Sequence, residues 1–351
     1  MDALAHALLG ATLAQASSAR GTALSLRQRL AICSSAAVFP DIDFIGFLVD
    51  PLRFLAEWHQ GPTHSLILLP LWAVLIGGAF ALAGQRKAAF LSACAFAAVG
   101  LASHIGLDLM TAYGTALFYP LSQQRFWIGS LFLVDPVFLL IALGSLIASL
   151  RLRKRWPALA GLALLALYAG GQTLQQLRAT DIARQWAQAN GIAPARVAAL
   201  AQPLSPFNWK LLVVDGDRYH QAYLKLAAGA AALPIPGPLG ELARTYRPPE
   251  LLVWHLRHRY GEDATLQPQV QARWQDPRLA SYRRFAIFPA LSRIDRGRET
   301  CIWFTDLRYD LPTLPDTFRY GFCRGGETLP WRLYRLRYFS AESRQGLEPA
   351  D

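Results

Sequence analysis

The sequence predicts an α-helical membrane domain, with about four spanning helices plus interfacial helices, followed by a soluble β-rich or α+β C-terminal domain. Composition is the first observation behind this prediction. Of the 351 residues, 53% are hydrophobic and 17% are charged, against roughly 25% charged residues in an ordinary soluble domain. The second observation is uneven distribution, because residues 1–199 carry 22 Lys, Arg, Asp and Glu and residues 200–351 carry 37. These figures exclude disorder and a small disulfide-rich scaffold.

Long apolar segments predict the spanning helices. They are residues 66–83, 88–107, 131–150 and 157–171. The first three have 18, 20 and 20 residues, close to the roughly 20 that cross a bilayer, whereas the fourth has 15 and could also be a core helix. Two shorter stretches, residues 3–16 and 30–39, are expected to lie in the interface or pack on the bundle. Pro40 stops the second of them.

Short basic loops predict the orientation. Arg86 and Lys87 separate the first two segments, and Arg151, Arg153, Lys154 and Arg155 separate the last two. The positive-inside rule places both loops in the cytoplasm, so the N-terminal 65 residues, residues 108–130 and the C-terminal part are expected on the extracytoplasmic side. Four arginines count against this orientation: Arg20, Arg27, Arg29 and Arg53. The net charge of +11 is interpreted as favouring contact with anionic lipid and not with nucleic acid, since no zinc-finger or RNA-binding signature occurs.

The predicted domains are residues 1–175, embedded in the membrane, residues 176–199, an amphipathic connecting helix, and residues 200–351, the soluble domain. Residues 230–249 are rich in Pro and Gly and predict a loop. Four later runs, FAIFPAL, TCIWFTDLRYDL, TFRYGFC and WRLYRLRYF, predict short strands. Cys301 and Cys323 would pair if this part lies outside the cytoplasm, or they are two buried free thiols.

Seven ionisable side chains lie in or beside the apolar segments, where such groups are costly and are functional candidates. They are His6, Asp41, Asp43, His59, His64, His104 and Asp108. His104 and Asp108 are four residues apart in a helical segment, which puts them on one face, one turn apart. Asp41 and Asp43 are two residues apart, so an extended turn would point both carboxylates the same way. The Gly61-Pro62 turn can bring His59 and His64 together, with Thr63 capping a helix that starts at His64.

This set of side chains predicts a metal centre. Four imidazoles and three carboxylates without a thiolate suit Zn, Mn or Fe rather than Ca. Seven ligands suit two ions joined by a bridging carboxylate, an arrangement that activates water and usually acts on phosphoester bonds. Taken singly, each residue has a structural explanation; His6 could bond a neighbouring helix and Asp43 could be solvated. Asp135 is interpreted as a helix start. Arg125 could meet an anionic head group, whereas Trp127 fits an interface anchor better.

Four motifs, MDALAHALLGATL, FPDID, HQGPTHS and SHIGLDLMTAYGTALFYPL, resemble in their order those of the YdjM-type membrane-bound metal-dependent hydrolases. The resemblance covers about residues 1–140. It implies a multi-span protein of the bacterial inner membrane that is a metal-dependent hydrolase of undefined substrate. The family pattern of an early His, PD-x-D, H-R-G-x-T-H-S and H-x-x-x-D falls on His6, Asp41 with Asp43, residues 59–65, and His104 with Asp108. Gln60 stands where an arginine is usual.

The leading hypothesis is a membrane-bound hydrolase that uses a divalent metal, Zn or else Mn or Fe, to activate water. Its substrate would be a small molecule or a lipid-linked envelope compound with a phosphoester or similar bond, and membrane lipid is an expected partner. The strongest ligand candidates are His6, Asp41, His64, His104 and Asp108, whereas Asp43 and His59 are ligands or act as base and acid. The alternative is a non-enzymatic membrane scaffold or metal-binding sensor whose C-terminal domain binds a partner.

Overall fold

The computed structural model describes residues 1–18, 22–84, 87–227, 236–326, 328–338, 340 and 342–347. Arg20, Arg86 and residues 230–235, which entered the predictions above, lie outside these ranges. The chain forms two compact units. Unit 1 comprises Met1–Leu48, Trp58–Gln176 and Ala201–Pro206, and unit 2 comprises Val49–Glu57, Leu177–Leu200 and Phe207–Asp351. The predicted fold class is confirmed, because apolar helices fill the N-terminal part and two antiparallel sheets follow.

Helices dominate the first 189 residues. Their bounds are α1 Ala3–Ala16, α2 Leu26–Val38, α3 Gly46–Val49, α4 Pro51–Arg53, α5 Leu69–Ala83, α6 Phe90–Leu109, α7 Pro136–Leu152 and α8 Trp156–Ala189. Side chains cap several of them: Asp2 accepts from Leu4 and Ala5 N–H at the start of α1. Asp135 does the same at the start of α7, as expected, and so satisfies N–H groups that have no partner within the helix.

Within the described part of the chain, three helical segments are long and apolar enough to cross a membrane: Leu26–Val49, Phe90–Leu109 and Trp156–Ala189. A fourth span results if Pro51–His64 and Leu69–Ala83, which meet at a 69° bend, form one crossing. The second and fourth apolar segments of the sequence therefore coincide with spanning helices. The first is only half of the bent pair, and α7, within the third, is a shorter apolar helix, because Asp135 and Pro136 start it late.

Residues 30–39 pack on the bundle, one of the two expected alternatives, but the prediction that Pro40 stops the helical run was wrong. The α-helix does end at Val38, but the chain continues as a 3-10 helix over Phe39–Ile45 and then as α3. Pro40 is at the start of this 3-10 helix, where its missing N–H breaks no helical hydrogen bond. The run Leu26–Val49 therefore reaches 24 residues, the length of a membrane span and not of an interfacial piece.

Close backbone packing fixes the position of α2. A Cβ atom added to Gly10 of α1 would lie 2.8 Å from the Ala37 Cβ and 2.8 Å from the Cys33 carbonyl oxygen of α2. Glycine is thus required for α1 and α2 to approach this closely. On the other side, the His104 ring of α6 bonds the Ala37 carbonyl at 2.6 Å. The end of α2, and with it the start of the 3-10 helix, is therefore held against both α1 and α6.

Unit 2 contains most of the β-structure. The strands are β1 Arg196–Ala201, β2 Asn208–Asp215, β3 Arg218–Lys225, β4 His255–His258, β5 Pro289–Arg296, β6 Thr300–Asp306, β7 Tyr320–Arg324, β8 Arg332–Leu336 and β9 Arg344–Gly346, and each sheet follows chain order, β1 to β4 and β5 to β9. All four β-like runs of the sequence overlap strands of the second sheet. Cys301 and Cys323 face each other across β6 and β7 and form a disulfide, which decides between the two alternatives left open.

Among the described residues, unit 2 also contains α4 and three further short helices: α9 Pro238–Thr245, α10 Gln267–Trp274 and α11 Ala280–Phe285. The loop prediction for residues 230–249 was wrong for its described part, because α9 lies inside it. Gly237 has φ +73° and Pro238 is the first helical residue. These residues are typical of a helix start as much as of a loop. The prediction of three domains with boundaries at residues 175 and 199 stays a prediction.

Candidate metal centre

Helix α6 supplies two neighbouring groups of the centre. His104 and Asp108 lie one turn apart, as predicted, with His104 Nε2 3.3 Å from Asp108 Oδ2. Both side chains are buried. Because a carbonyl oxygen only accepts, the bond from His104 to Ala37 places the ring proton on Nδ1. The Nε2 atom of His104 therefore faces the centre, as in metal sites where the second ring nitrogen is fixed by a hydrogen bond.

His64 belongs to a short 3-10 helix, Pro62–His64. The Thr63 hydroxyl donates to Asp43 Oδ2 at 3.1 Å, so it can only accept from His64 Nδ1, which lies 2.9 Å away. His64 consequently also carries its proton on Nδ1. Thr63 does not cap a helix beginning at His64, as had been expected, because α5 begins only at Leu69 and the hydroxyl is bonded to Asp43.

The Nε2 atoms of the two imidazoles thus face one another. His64 Nε2 lies 3.0 Å from His104 Nε2, and each is 3.3 Å from Asp108 Oδ2. Ligands at about 2.0–2.1 Å from a tetrahedral Zn²⁺ are themselves about 3.3 Å apart. Neutral imidazoles with their protons on Nδ1 would direct both Nε2 lone pairs at the same point, where a cation could bind. The spacing of His64, His104 and Asp108 therefore fits a metal ion.

Asp41 completes a cluster of four side chains that could bind a metal ion. Its Oδ1 lies 3.6 Å from His104 Nε2 and 3.8 Å from His64 Nε2. One ligand atom from each of Asp41, His64, His104 and Asp108 lies within 4.8 Å of all the others. Three of the four side chains are buried, whereas the Asp41 side chain is 19% exposed. The identity of the ion is not determined by this set.

Asp43 does not join Asp41 in the centre. The expected extended turn is wrong, because both residues lie in the 3-10 helix Phe39–Ile45, where residues two apart point in different directions. Asp43 instead accepts from His59 Nδ1 at 2.9 Å and from the Gln60 N–H at 3.2 Å, besides Thr63. Asp43 therefore stabilises the turn that carries His59 and His64 without joining the cluster around Asp41. Its side chain is buried and not solvated.

His6 approaches the centre from α1, on the other side of Asp108. Its Nε2 lies 3.2 Å from Asp108 Oδ1, and its ring stacks on His104 at 3.7 Å between centroids. The Met1 amino group also contacts Asp108 Oδ1. His6 Nδ1 is buried and has no hydrogen-bond partner among the described residues. Asp108 therefore has one oxygen towards His6 and the other towards His64 and His104.

Sequence reasoning did not assign two polar residues next to the centre. Gln60 donates to Asp108 Oδ2 at 2.7 Å and accepts from the Thr115 hydroxyl at 3.0 Å. Its backbone has φ +55°, a conformation that places its side chain inward from the turn. The sequence signal was its position inside HQGPTHS, where it replaces an arginine of the family pattern. Thr115 carried no signal, since it reaches Gln60 only through the fold.

Arg125, considered above for an anionic head group, bonds the chain around the centre. It donates to the Gly114 carbonyl at 2.8 Å and to the His59 carbonyl at 3.0 Å. Its guanidinium lies 5.8 Å from the Tyr113 ring centroid, and that ring meets His59 edge-on at 4.9 Å. Arg125 therefore fixes residues 113–114 against the turn that carries His59.

These helices and this cluster define a helical membrane protein with a buried histidine–aspartate group that could bind a metal ion. The family model of the YdjM inner membrane protein matches residues 1–179. This match covers half of the chain, so the chain belongs to the YdjM inner membrane protein family, and the resemblance noted in its sequence is confirmed. No curated protein matches the chain, and neither does any solved structure.

Proposed function

We propose that this chain is a membrane-bound metal-dependent hydrolase. The observation that carries the proposal is the close approach of His64 Nε2 and His104 Nε2, which are 3.0 Å apart and both 3.3 Å from Asp108 Oδ2. Buried polar groups need partners, and a cation would satisfy all three at once. Nitrogen and carboxylate ligands without thiolate suit Zn²⁺, with Mn²⁺ or Fe²⁺ as alternatives. A divalent ion held there would supply Lewis acidity that polarises the scissile bond and lowers the pKa of water.

A second ion is proposed on the other side of Asp108. Its Oδ1 faces His6, whose buried ring nitrogens lack hydrogen bonds among the described residues. A carboxylate with one oxygen towards each group of ligands can bridge two ions. In this arrangement Asp41, His64, His104 and Asp108 would hold one ion, and His6 would contribute to holding the other. Two such ions favour phosphoester substrates, either small molecules or lipid-linked compounds of the envelope.

Asp43 and His59 are proposed to handle the proton. Asp43 only accepts, so the bond at 2.9 Å places a proton on His59 Nδ1 and leaves the other ring nitrogen able to accept one. This is the relation between an imidazole base and the carboxylate that orients it. Asp43 is therefore a positioning residue in the proposal, and His59 gives or takes the proton.

Access to the ions supports a hydrolase over a closed metal sensor. Asp41 is the member of the cluster with an exposed side-chain fraction, 19%, while His64, His104 and Asp108 are at most 2% exposed. Catalytic sites keep one position open to water or substrate, whereas structural sites do not. The opening beside Asp41 is where we propose that the substrate enters.

The centre and the C-terminal part are proposed to face the extracytoplasmic side of the inner membrane. Two separate observations support this. The described cations Arg153, Lys154 and Arg155 follow α7 at the end away from its Asp135 cap, and such loops stay in the cytoplasm. In unit 2, Cys301 and Cys323 form a disulfide, a bond that persists in oxidising compartments.

The test is metal content and activity of the full-length chain purified in detergent. Wild type should bind Zn²⁺ and hydrolyse bis(p-nitrophenyl) phosphate once loaded, whereas His104→Ala and Asp108→Asn should lose the ion and at least about a hundred-fold in rate. His255→Ala, which changes an exposed histidine of β4, is the matched control and should keep both. Unchanged metal stoichiometry in both site variants would contradict the proposed metal centre. Bound metal without any hydrolysis would favour the sensor.

A further inference from the structure

A polar pocket of about 450 Å³ lies among α1, α2 and the turn between α7 and α8. Its lining residues are Gln15, Ser17, Ser18, Leu26, Arg29, Arg153, Lys154 and Arg155. Four of these eight residues are cations and none is acidic. The pocket lies within unit 1, and it contains none of the residues of the metal centre.

The helix directions show that this pocket and the metal centre are at opposite ends of the bundle. Helix α1 begins after Asp2 and ends at Ala16, beside the pocket, and α7 begins after Asp135 and ends just before Arg153. Helix α2 runs the other way, from the pocket towards Asp41. The carboxylates Asp2, Asp41, Asp108 and Asp135 therefore lie at one end of these helices, and Arg29, Arg153, Lys154 and Arg155 lie at the other.

Arg29 is the unusual member of this pocket, because its side chain is buried with only 6% of the residue exposed. One guanidinium nitrogen donates to the Ser17 hydroxyl at 2.7 Å and to the Ser18 carbonyl at 3.2 Å. Its Nε has no hydrogen-bond partner in the described ranges, and no carboxylate there forms an ion pair with it. A buried guanidinium without an anion is costly, so the pocket lacks a negative partner.

The exposed cations supply the rest of an anion site. Arg153 ends α7 with φ +53°, which turns the chain so that Arg153, Lys154 and Arg155 follow one another at the pocket. The Lys154 N–H is bonded back to the Ser149 carbonyl at 3.2 Å, and Ser149 accepts from Gln15 at 2.9 Å. The turn is thus tied to α1, and the charges are held at the pocket and not on a free loop.

We propose that this pocket binds a phosphate group, held by the buried Arg29 and by Lys154 and Arg155. Guanidinium groups bind phosphate oxygens in a fork geometry, and lysine adds a point charge. The pocket is at the end of apolar helices, the depth of phospholipid head groups. The phosphate is that of an anionic lipid or a free phosphate. Such a site would be separate from the hydrolytic centre and independent of its metal.

The experiment measures binding of short-chain phosphatidylglycerol and of inorganic phosphate to the full-length protein in neutral detergent by calorimetry. Short-chain phosphatidylcholine, a zwitterion without net charge, is the reference. The test variant is Lys154→Gln with Arg155→Gln. The matched control is Arg27→Gln with Arg151→Gln, which removes two exposed cations from the same helix ends that do not line the pocket. Both double variants remove two positive charges. A difference between them therefore distinguishes binding in the pocket from general electrostatic attraction of the anion.

The pocket variant should bind the anionic ligand about 25-fold more weakly, from about five-fold for each cation removed, and the control by less than about five-fold. Inorganic phosphate that displaces the lipid identifies a free phosphate site, and lipid binding without such displacement identifies a head-group site; both support the proposal. Equal losses in the two double variants, or no binding of either anion to wild type, would overturn it. His104→Ala should retain the binding, which separates this result from any failure of the hydrolase proposal.

Discussion

The two units bury charge in different ways. In unit 2, Asp306 and Arg308 are completely buried, and the Arg308 Nε and Nη2 lie 2.9 and 2.8 Å from Asp306 Oδ2. Each charge there has its opposite within the fold. In unit 1, Asp41 meets only the two imidazoles among its described ion-pair partners. The Asp306–Arg308 pair of unit 2 is thus complete within the fold, whereas Asp41 forms no ion pair with Lys or Arg among the described residues and would gain a cationic partner from a metal ion.

The largest expected effect is a loss of stability when the buried Asp306–Arg308 pair of unit 2 is broken. Asp306→Asn keeps the shape of the side chain but leaves Arg308 buried without its anion, and should lower the free energy of unfolding by about 3–5 kcal/mol. Chemical unfolding in detergent, with and without added metal, measures it, and the loss should be the same in both. The control Asp217→Asn disrupts an exposed pair with Arg259 and should cost less than about 1 kcal/mol. A loss of stability that depends on added metal would contradict the interpretation that Asp306 and Arg308 neutralise each other without a further ion.

An intermediate effect on stability is expected at the candidate metal centre of unit 1. Metal at a hundred times its Kd should stabilise wild type by about 2.7 kcal/mol, and Asp41→Asn should remove this gain because it removes one ligand. In chelator the same variant should be no less stable than wild type, since Asp41 and Asp108 are neighbouring carboxylates that repel each other. Thermal unfolding with Zn²⁺ or with a chelator measures both arms. A variant that is destabilised equally in both would mean that Asp41 is structural.

The smallest expected effect is on the pH dependence of stability and arises from a histidine of unit 2. Burial lowers the pKa of His220 below its ordinary value, and its ring lies 5.1 Å from that of Trp186. The unfolded chain takes up this proton first as the pH falls through about 6.5. Stability contributed by neutral His220 is therefore present above pH 6.5 and lost below it. The midpoint of thermal unfolding of His220→Gln should fall less steeply between pH 7 and pH 5, while the exposed His255→Gln should follow wild type.

Local rules account for what the sequence predicted of the centre. His104 and Asp108 share a face because helical periodicity acts over four residues, and the apolar runs predict α6 and α8 for the same reason. Asp41 and Asp43 were assigned a common direction because Pro40 favoured an extended turn, but packing against α6 and the histidine turn made a 3-10 helix instead. Gln60 was beyond prediction, since its bond to Asp108 joins residues 48 positions apart.

The break between His64 and α5 has a consequence for the route of a substrate. Leu66 and Ile67 expose their side chains, yet their backbone N–H groups are bonded to the Leu117 carbonyl and the Ser65 hydroxyl. Irregular backbone at membrane depth is tolerated only where its polar groups are satisfied by protein, and here the Leu117 carbonyl and the Ser65 hydroxyl satisfy them while the apolar side chains are exposed. In the proposed membrane hydrolase, the turn that bears His64 would therefore border hydrocarbon directly. A long-tailed compound could reach it by sliding sideways within its leaflet, without first leaving for water.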